Sequence, residues 1–414
     1  MDQTPSPTGT LIIQVTASTP YIPLSNASIV LASTGNPNDT LLELRTDEDG
    51  KATATSLPAP PRAYSMEPSN NQPYAEYNIK VSHPGFEERI ISGIQIFPQE
   101  TGVQSVTLLP SQNVSVYNPI VIGGHTLWEL YPPKIPESEI KPLQETGEIV
   151  LSRVVVPETI VVHDGAPSDT SAQNYYVPYL DYIKNVACCE IYSTWPDATI
   201  EANLLAIMSF TLNRVFCEWY RNKGYNFTIT SSTAYDHKWI YGKTIDEKIS
   251  YIADTLVNRY LSRPNVKQPI LTQYCDGKRV SCPNWMTQWG SKALGDDGLS
   301  AIDILRYYYG SDIYINEAEA ISGIPSSFPG YDLTIGSSGE AVSTIQSQLN
   351  RIAQNYPKLP ILSVDGIFGT ATQNAVRTFQ QIFNLPESGI VDFPTWYKIS
   401  QIYVGVSKIG ENIT

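Results

Sequence analysis

Glu190 is the residue whose setting best suits proton transfer. It lies seven residues after Ile183 and three after Ala187, so helical spacing puts it on the side of Leu180, Ile183, Ala187 and Ile191. An ionised carboxylate on an apolar stripe is costly, so burial is expected to raise its pKa. A carboxyl that holds its proton near neutral pH can act as a general acid. The plain alternative is a partly exposed glutamate near a helix end. Asp197, Glu201 and Asp236 are candidates for a second acid, each also explained as a first-turn helix charge or a surface residue. Cys188, Cys189 and Cys217 would need a base such as His163 or His237 to act as nucleophiles, and no spacing favours that pairing.

Two further clusters suit a sugar. Ser231, Ser232, Thr233, Tyr235 and Asp236 offer groups for hydroxyls and acetamides, although such residues also serve turns locally. Gln288, Trp289 and Gly290 offer an amide, an aromatic face and a close-approach glycine, against the alternative of a core tryptophan. Cys275, Cys282 and His237 are the candidates for zinc. A tetrahedral site needs four ligands, so a disulfide or free thiols is the preferred reading, and no cofactor is expected.

Positioning these residues takes a mixture of elements. Val177-Pro178 suits a helix start, since proline pre-sets φ in a first turn. A second helix restarts after Trp195-Pro196, with Ile200, Leu204, Ile207, Thr211 and Val215 inward. Phe227–Tyr235 reads as strand and loop. Asp246–Leu261 reads as a helix, with Ile249, Ile252, Ala253, Leu256 and Tyr260 on one face. Gln268–Cys275 reads as a strand, and Asp303–Tyr309 as a short helix ended by Gly310. The expected class of residues 158–325 is α+β.

The stretch VPYL, a glutamate followed by isoleucine, a WP pair and an alanine-rich helix together resemble the opening of the stage II sporulation protein D family. TITSSTAYDHKWIYG (Thr228–Gly242) and WMTQWGSKALGDDGLSAIDILRYYYG (Trp285–Gly310) resemble that family's later motifs, in the same order. The likeness covers roughly Val154–Ile315. It implies a lytic transglycosylase of bacterial peptidoglycan with Glu190 as its catalytic glutamate, and it favours the site reading of the Ser231–Asp236 cluster and of Gln288–Gly290. Some relatives carry zinc near the segment TAYDHKWIYG, which here has His237 but no cysteine.

The chain has 414 residues, enough for two to four domains. Apolar content of 42% against 16% charged fits a globular chain. A net charge of −14 argues against nucleic acid as main partner. A glycan is compatible, and 26 tyrosines with 7 tryptophans suit one, though most such aromatics are core or scattered surface. No run reaches the length of a membrane span, and the start MDQTPSPTGT lacks the features of a secretory signal.

Residues 1–113 read as all-β. TLIIQVTA, SIVLAST, LLELRT, YNIKVSH, RIISGIQIF and SVTLLP are β-prone runs between turns, with Gly50 free to take positive φ. TDEDG, LPAPP and HPGFEE in this order resemble small transthyretin-like or carboxypeptidase-regulatory-like sandwiches. Residues 114–157 are proline-rich and aperiodic and read as a linker ordered in part and open to proteolysis, with His125 and Trp128 as packing residues. Residues 326–331 are a second linker. Residues 332–403 resemble a three-helix peptidoglycan-binding module: Val342, Ile345, Leu349 and Ile352 line one helix, and Ala375, Val376, Phe379 and Phe383 the next. Asp365 reads as a turn residue, and Trp396 and Tyr397 as core or sugar-stacking.

The three parts in this order resemble spore cortex-lytic proenzymes. That resemblance implies storage in the dormant spore at its cortex or coat, and cortex peptidoglycan with muramic-δ-lactam as substrate. It also implies activation by a subtilisin-like germination protease. Cleavage is expected within Asn113–Arg153, near Ile149 and Val150. Two other readings stay open: a non-catalytic wall-binding scaffold, and a muramidase that uses water and a second acid.

Overall fold

The computed structural model describes residues 6–17, 21–111, 119–141 and 151–408. The chain divides into two compact units. One gathers Thr8–Leu57, Ala75–Ile122 and Gly323–Thr414; the other gathers Pro58–Tyr74 and Gly123–Ser322. Among the described residues no helix is long and apolar enough to cross a membrane.

The first unit begins with a β-rich region. Its strands are β1 (Thr8–Thr16), β2 (Ser28–Ser33), β3 (Asn36–Arg45), β4 (Lys51–Pro58), β5 (Ala75–Ser82), β6 (Arg89–Ile96), β7 (Thr101–Thr107) and β8 (Ile120–Val121). One sheet includes the order β7-β1-β4, and the other has the order β3-β2-β5-β6-β8. Alternation drives both: Leu11, Ile13 and Val15 on β1 and Tyr77, Ile79 and Val81 on β5 are buried, and their neighbours are less so. Gly50 takes φ +72° in the turn before β4, as its sequence setting suggests.

Three helices complete this unit, Glu340–Ala353, Thr370–Ile382 and Phe393–Lys408. The apolar stripes read from the sequence meet in one core with Trp396. Two buried glutamines repeat one device. The Gln346 amide donates to the Ile367 carbonyl and Thr372 hydroxyl and accepts from the Gly366 N–H. Gln380 does the same with Ile390, Thr395 and Gly389. Each glutamine ties one helix to the loop and first turn of the next, so the module is built from two copies of one supersecondary unit. Asp365 accepts from Gln346 and the Ile367 N–H, a turn role.

The β-rich region and the helices touch within this unit. Lys358 pairs with Asp47 at 2.8 Å and Asp49 at 2.7 Å. Lys51 donates to Asn384 at 2.6 Å. Tyr21 lies against Gly405, where a Cβ would stand 2.3 Å from the ring.

In the second unit, β9 (Val155–Val156) pairs with Ala320–Ile321. β10 (Thr159–His163) lies between β11 (Asn174–Pro178) and β12 (Ile229–Thr230). Five helices of this unit follow the short turn α1 (Ala63–Met66): α2 (Tyr179–Glu190), α3 (Asp197–Phe216), α4 (Glu247–Thr255), α5 (Gln288–Asp296) and α6 (Ala301–Tyr309). α3 is the axis, and α2, α4, α5 and α6 pack around it. It is buried on nearly all sides rather than along one stripe, so its polar residues need internal partners. Ser209 donates to the Ile270 carbonyl, Asn213 to the Pro269 carbonyl, and Asn203 to Ser291.

Two expectations about elements are corrected. The helix read over Asp246–Leu261 ends at Thr255, and Arg259–Ser262 is a strand paired with Tyr314–Glu317. Only Tyr274–Cys275 of the strand read over Gln268–Cys275 pairs, with Met286–Thr287. In both places pairing with a distant segment outweighs local pattern.

Glycine inside a helix costs about 1 kcal/mol relative to alanine, so Gly405→Ala would ordinarily stabilise. Here the added methyl meets the Tyr21 ring, so a lower urea midpoint is expected. In a Tyr21→Ala background the sign should reverse; the same loss in both backgrounds would refute the contact.

Candidate active site

Glu190 is the last residue of α2 and is 8% exposed. Carbonyl oxygens crowd a helix C-terminus, so a carboxylate there needs donors from elsewhere. Two arrive. The Lys238 N–H donates to Oε1 at 2.8 Å, and the Gln288 amide to Oε2 at 2.8 Å. Asn185 explains the first: one turn earlier on α2, its side chain bonds both the N–H and the carbonyl of Ile240, which fixes the loop bearing Lys238. The second comes from the start of α5, where Gln288 also donates to the Glu190 carbonyl and its own carbonyl accepts from Ser291.

These groups border a cavity of about 40 Å³ lined by Glu190, Thr233, Lys238, Tyr274, Cys275, Asp276, Val280 and Gln288 on one side. His125, Leu127, Tyr131, Pro132 and Lys134 line the other. That second set falls in the stretch read from the sequence as linker. Trp128, in the same stretch, lies beside the Arg279 guanidinium.

The remaining candidates divide. Asp236 is fully buried and accepts from Arg214, the Tyr220 hydroxyl, and both the N–H and the hydroxyl of Thr230. Ser231 donates to Asp164. The carbonyl of Ser232 accepts from Tyr235 and Asp236, and that of Tyr235 from Arg214. Only Thr233 of that cluster reaches the cavity. Trp289 is buried against Tyr192 and Trp195 and donates to the Leu127 carbonyl. A Cβ on Gly290 would stand 2.1 Å from the Tyr308 hydroxyl, so its close approach is to the protein itself.

Asp276 is a lining carboxylate that no sequence pattern marked. It accepts from the N–H groups of Lys278, Arg279 and Val280, as an Asx turn does. The other acids lie elsewhere: Asp197 is 79% exposed and pairs with Lys248, and Glu201 is on α3.

Sulfur and imidazole chemistry find no support. Burial pushes the Cys188 and Cys189 thiols up to about 12 and about 11, which removes the thiolate. Burial holds His237 well below its ordinary value, beside Tyr182 and stacked on Tyr274. His163 bonds Asn174 and the Ala166 carbonyl. Cys275 and Cys282 are joined in a disulfide, so neither is open to zinc. Among the described residues no group of three or more His, Cys, Asp or Glu is placed to hold a metal ion.

Residues 338–399 match the family model described as "Putative peptidoglycan binding domain". A search of curated proteins finds no match to this chain. Among solved structures, the SleB N-terminal domain is similar at 34% identity over 18% of this chain and 93% of that one, with a TM-score of 0.16. The Bacillus anthracis TIE protein is similar at 18% identity over 25% of this chain, with a TM-score of 0.19; the match spans 17% of that protein. Klebsiella pneumoniae 5-hydroxyisourate hydrolase is similar at 14% identity over 26% of this chain and 93% of that one, with a TM-score of 0.17.

Asp236→Ala should leave Arg214 half-answered in a dry interior and lower stability by about 3–5 kcal/mol, read from urea unfolding. An unchanged midpoint would refute that pairing.

Proposed function

Because residues 338–399 carry a peptidoglycan-binding domain, we propose that the central unit acts on the polymer that domain holds, as a lytic transglycosylase of spore cortex peptidoglycan. The observation that carries this reading is Glu190: of the two carboxylates on the cavity, it is the one that no turn consumes. Hydrolysis by two acids requires a partner carboxylate at defined separation. Asp197, Glu201 and Asp236 do not line the cavity. One acid suffices when the nucleophile belongs to the substrate.

Glu190 gives its proton to the oxygen joining N-acetylmuramic acid to N-acetylglucosamine as the C1–O bond breaks. An oxocarbenium-like centre forms at C1. The Glu190 carboxylate then takes the proton of the muramyl C6 hydroxyl as O6 bonds to C1, leaving a 1,6-anhydro ring and a restored acid. Lys238 N–H and Gln288 hold the carboxyl for both transfers.

The order of regions resembles the clostridial spore cortex-lytic enzyme SleC. It supports a transthyretin-like sandwich as pro-region, a sporulation D-like catalytic fold, cortex rich in muramic-δ-lactam as substrate, and a subtilisin-like protease as activator. The cleavage expected near Ile149 and Val150 lies outside the described residues. A mature amino terminus inside Asn113–Arg153 is expected from germinating spores; one before residue 90 or beyond Tyr176 would sink the precursor reading.

Mass spectrometry of cortex digested by the matured chain should show anhydromuramyl ends. Glu190→Gln should lower their yield by about 10²–10⁴-fold. Reducing muramic ends would make the protein a muramidase. Binding without products would make it a scaffold.

A further inference from the structure

Tyr175, Trp239 and Tyr241 form a cluster of rings that proton transfer at Glu190 does not use. The Tyr175 and Tyr241 rings are stacked, with centroids 4.8 Å apart and 26° between their planes. Trp239 stands 5.2 Å from Tyr175 and 6.3 Å from Tyr241. Trp239 is 5% exposed, Tyr175 is half-buried and Tyr241 is 44% exposed, so the cluster runs from the interior to the surface. Resting on the reading of Glu190 as the acid, we propose that Tyr175 and Tyr241 form an outer sugar subsite, holding the glycan strand a short way along from the bond that meets Glu190.

Two tracks of chain lead from the cavity to this cluster. The first starts at Lys238, which lines the cavity and whose N–H bonds Glu190. Trp239 and Tyr241 follow in the same loop, and Asn185 pins Ile240 between them by its N–H and its carbonyl. Three residues reach at most about 11 Å, so a strand lying at Lys238 meets Tyr241 within a few sugars. The second track starts at Thr233, also on the cavity. Two residues before it, Ser231 gives its N–H to the His163 carbonyl and its hydroxyl to the exposed Asp164, at 2.8 Å. Burial and then the Asp164 charge push the Tyr175 phenol up, which places that carboxylate near the ring. Both tracks end at Tyr175.

The chemistry of the cluster fits a sugar. A pyranose offers a face of C–H groups and a rim of hydroxyls and acetamides. Aromatic rings answer the face, and Asp164 with Ser231 stands beside them for the rim. β11 leaves Tyr175 within reach, because it is the edge strand of its sheet and pairs with β10 alone among the described residues. Side chains alternate along a strand, so Tyr176, 75% exposed, faces the other way from Tyr175. A chain that carries a peptidoglycan-binding domain meets long glycan strands, and a strand engaged at Glu190 has to continue over the surface beyond a cavity of about 40 Å³. The stacked tyrosines are where the loop from Lys238 leads it.

The test is nitration of tyrosines by tetranitromethane, read residue by residue by mass spectrometry, with and without soluble cortex fragments. It is run on the full chain and on the matured chain, both carrying Glu190→Gln so that the glycan stays whole. Glycan should slow nitration of Tyr241 several-fold in at least one form. Tyr176, across the strand, and the exposed Tyr307 on α6 should react at the same rate throughout. Tyr241 unprotected in both forms, or Tyr176 and Tyr307 protected to the same degree, overturns the proposal. In the active matured chain, Tyr241→Ala should raise KM for cortex about three- to tenfold, the scale of one aromatic contact. kcat should move less, because the stacked pair touches no reacting atom. An unchanged KM overturns the proposal as well. Protection of Tyr241 with no cleavage of cortex by the matured chain leaves the subsite standing and defeats the lytic reading. Cleavage without protection does the reverse.

Discussion

Arg214 lies inside α3 with none of its side chain exposed, and a charge so placed has to be answered by protein. Asp236 answers from the loop after β12 and Glu137 from residues 123–141. Burial works against the guanidinium charge, but Asp236 and Glu137 outweigh it and hold Arg214 above its ordinary value. Burial also favours protonated Glu137, yet Arg214 prevails and holds it below the usual range. Two segments distant in sequence are thereby fixed to one helix. The segment carrying Asp236 continues into Lys238, whose N–H reaches Glu190, so the geometry of the Glu190 carboxyl depends on the same buried charge.

Around Glu190, two phenols and one imidazole are kept uncharged. Burial pushes the Tyr274 and Tyr182 phenols well above their ordinary value and the His125 imidazole down to about 3. Those rings neither gain nor lose a proton near neutral pH.

Periodicity made the C-terminal helices legible: Val342, Ile345, Leu349 and Phe379 fall where a 3.6-residue repeat puts them. Alternation did the same for β1 and β5. Glu190 was legible as a carboxyl on an apolar helix, with a place near the helix end as the plain alternative, although its two donors were not. Residues 123–141 were legible only as a partly ordered linker, because an irregular segment held by side-chain amides has no period. Asp236 looked like a sugar ligand because nothing local reveals that Arg214, 22 residues earlier, points at it. The Tyr21–Gly405 contact is long-range in the same way.

Residues 123–141 are held largely through their main chain: Gln273 and Gln268 each bond an N–H and a carbonyl of it, and the Leu271 N–H bonds another carbonyl. Bonds to main chain are indifferent to side-chain identity. Most positions of this segment can therefore drift in sequence without loosening it, whereas Glu137 and Glu139, each joined to an arginine through its own carboxylate, cannot.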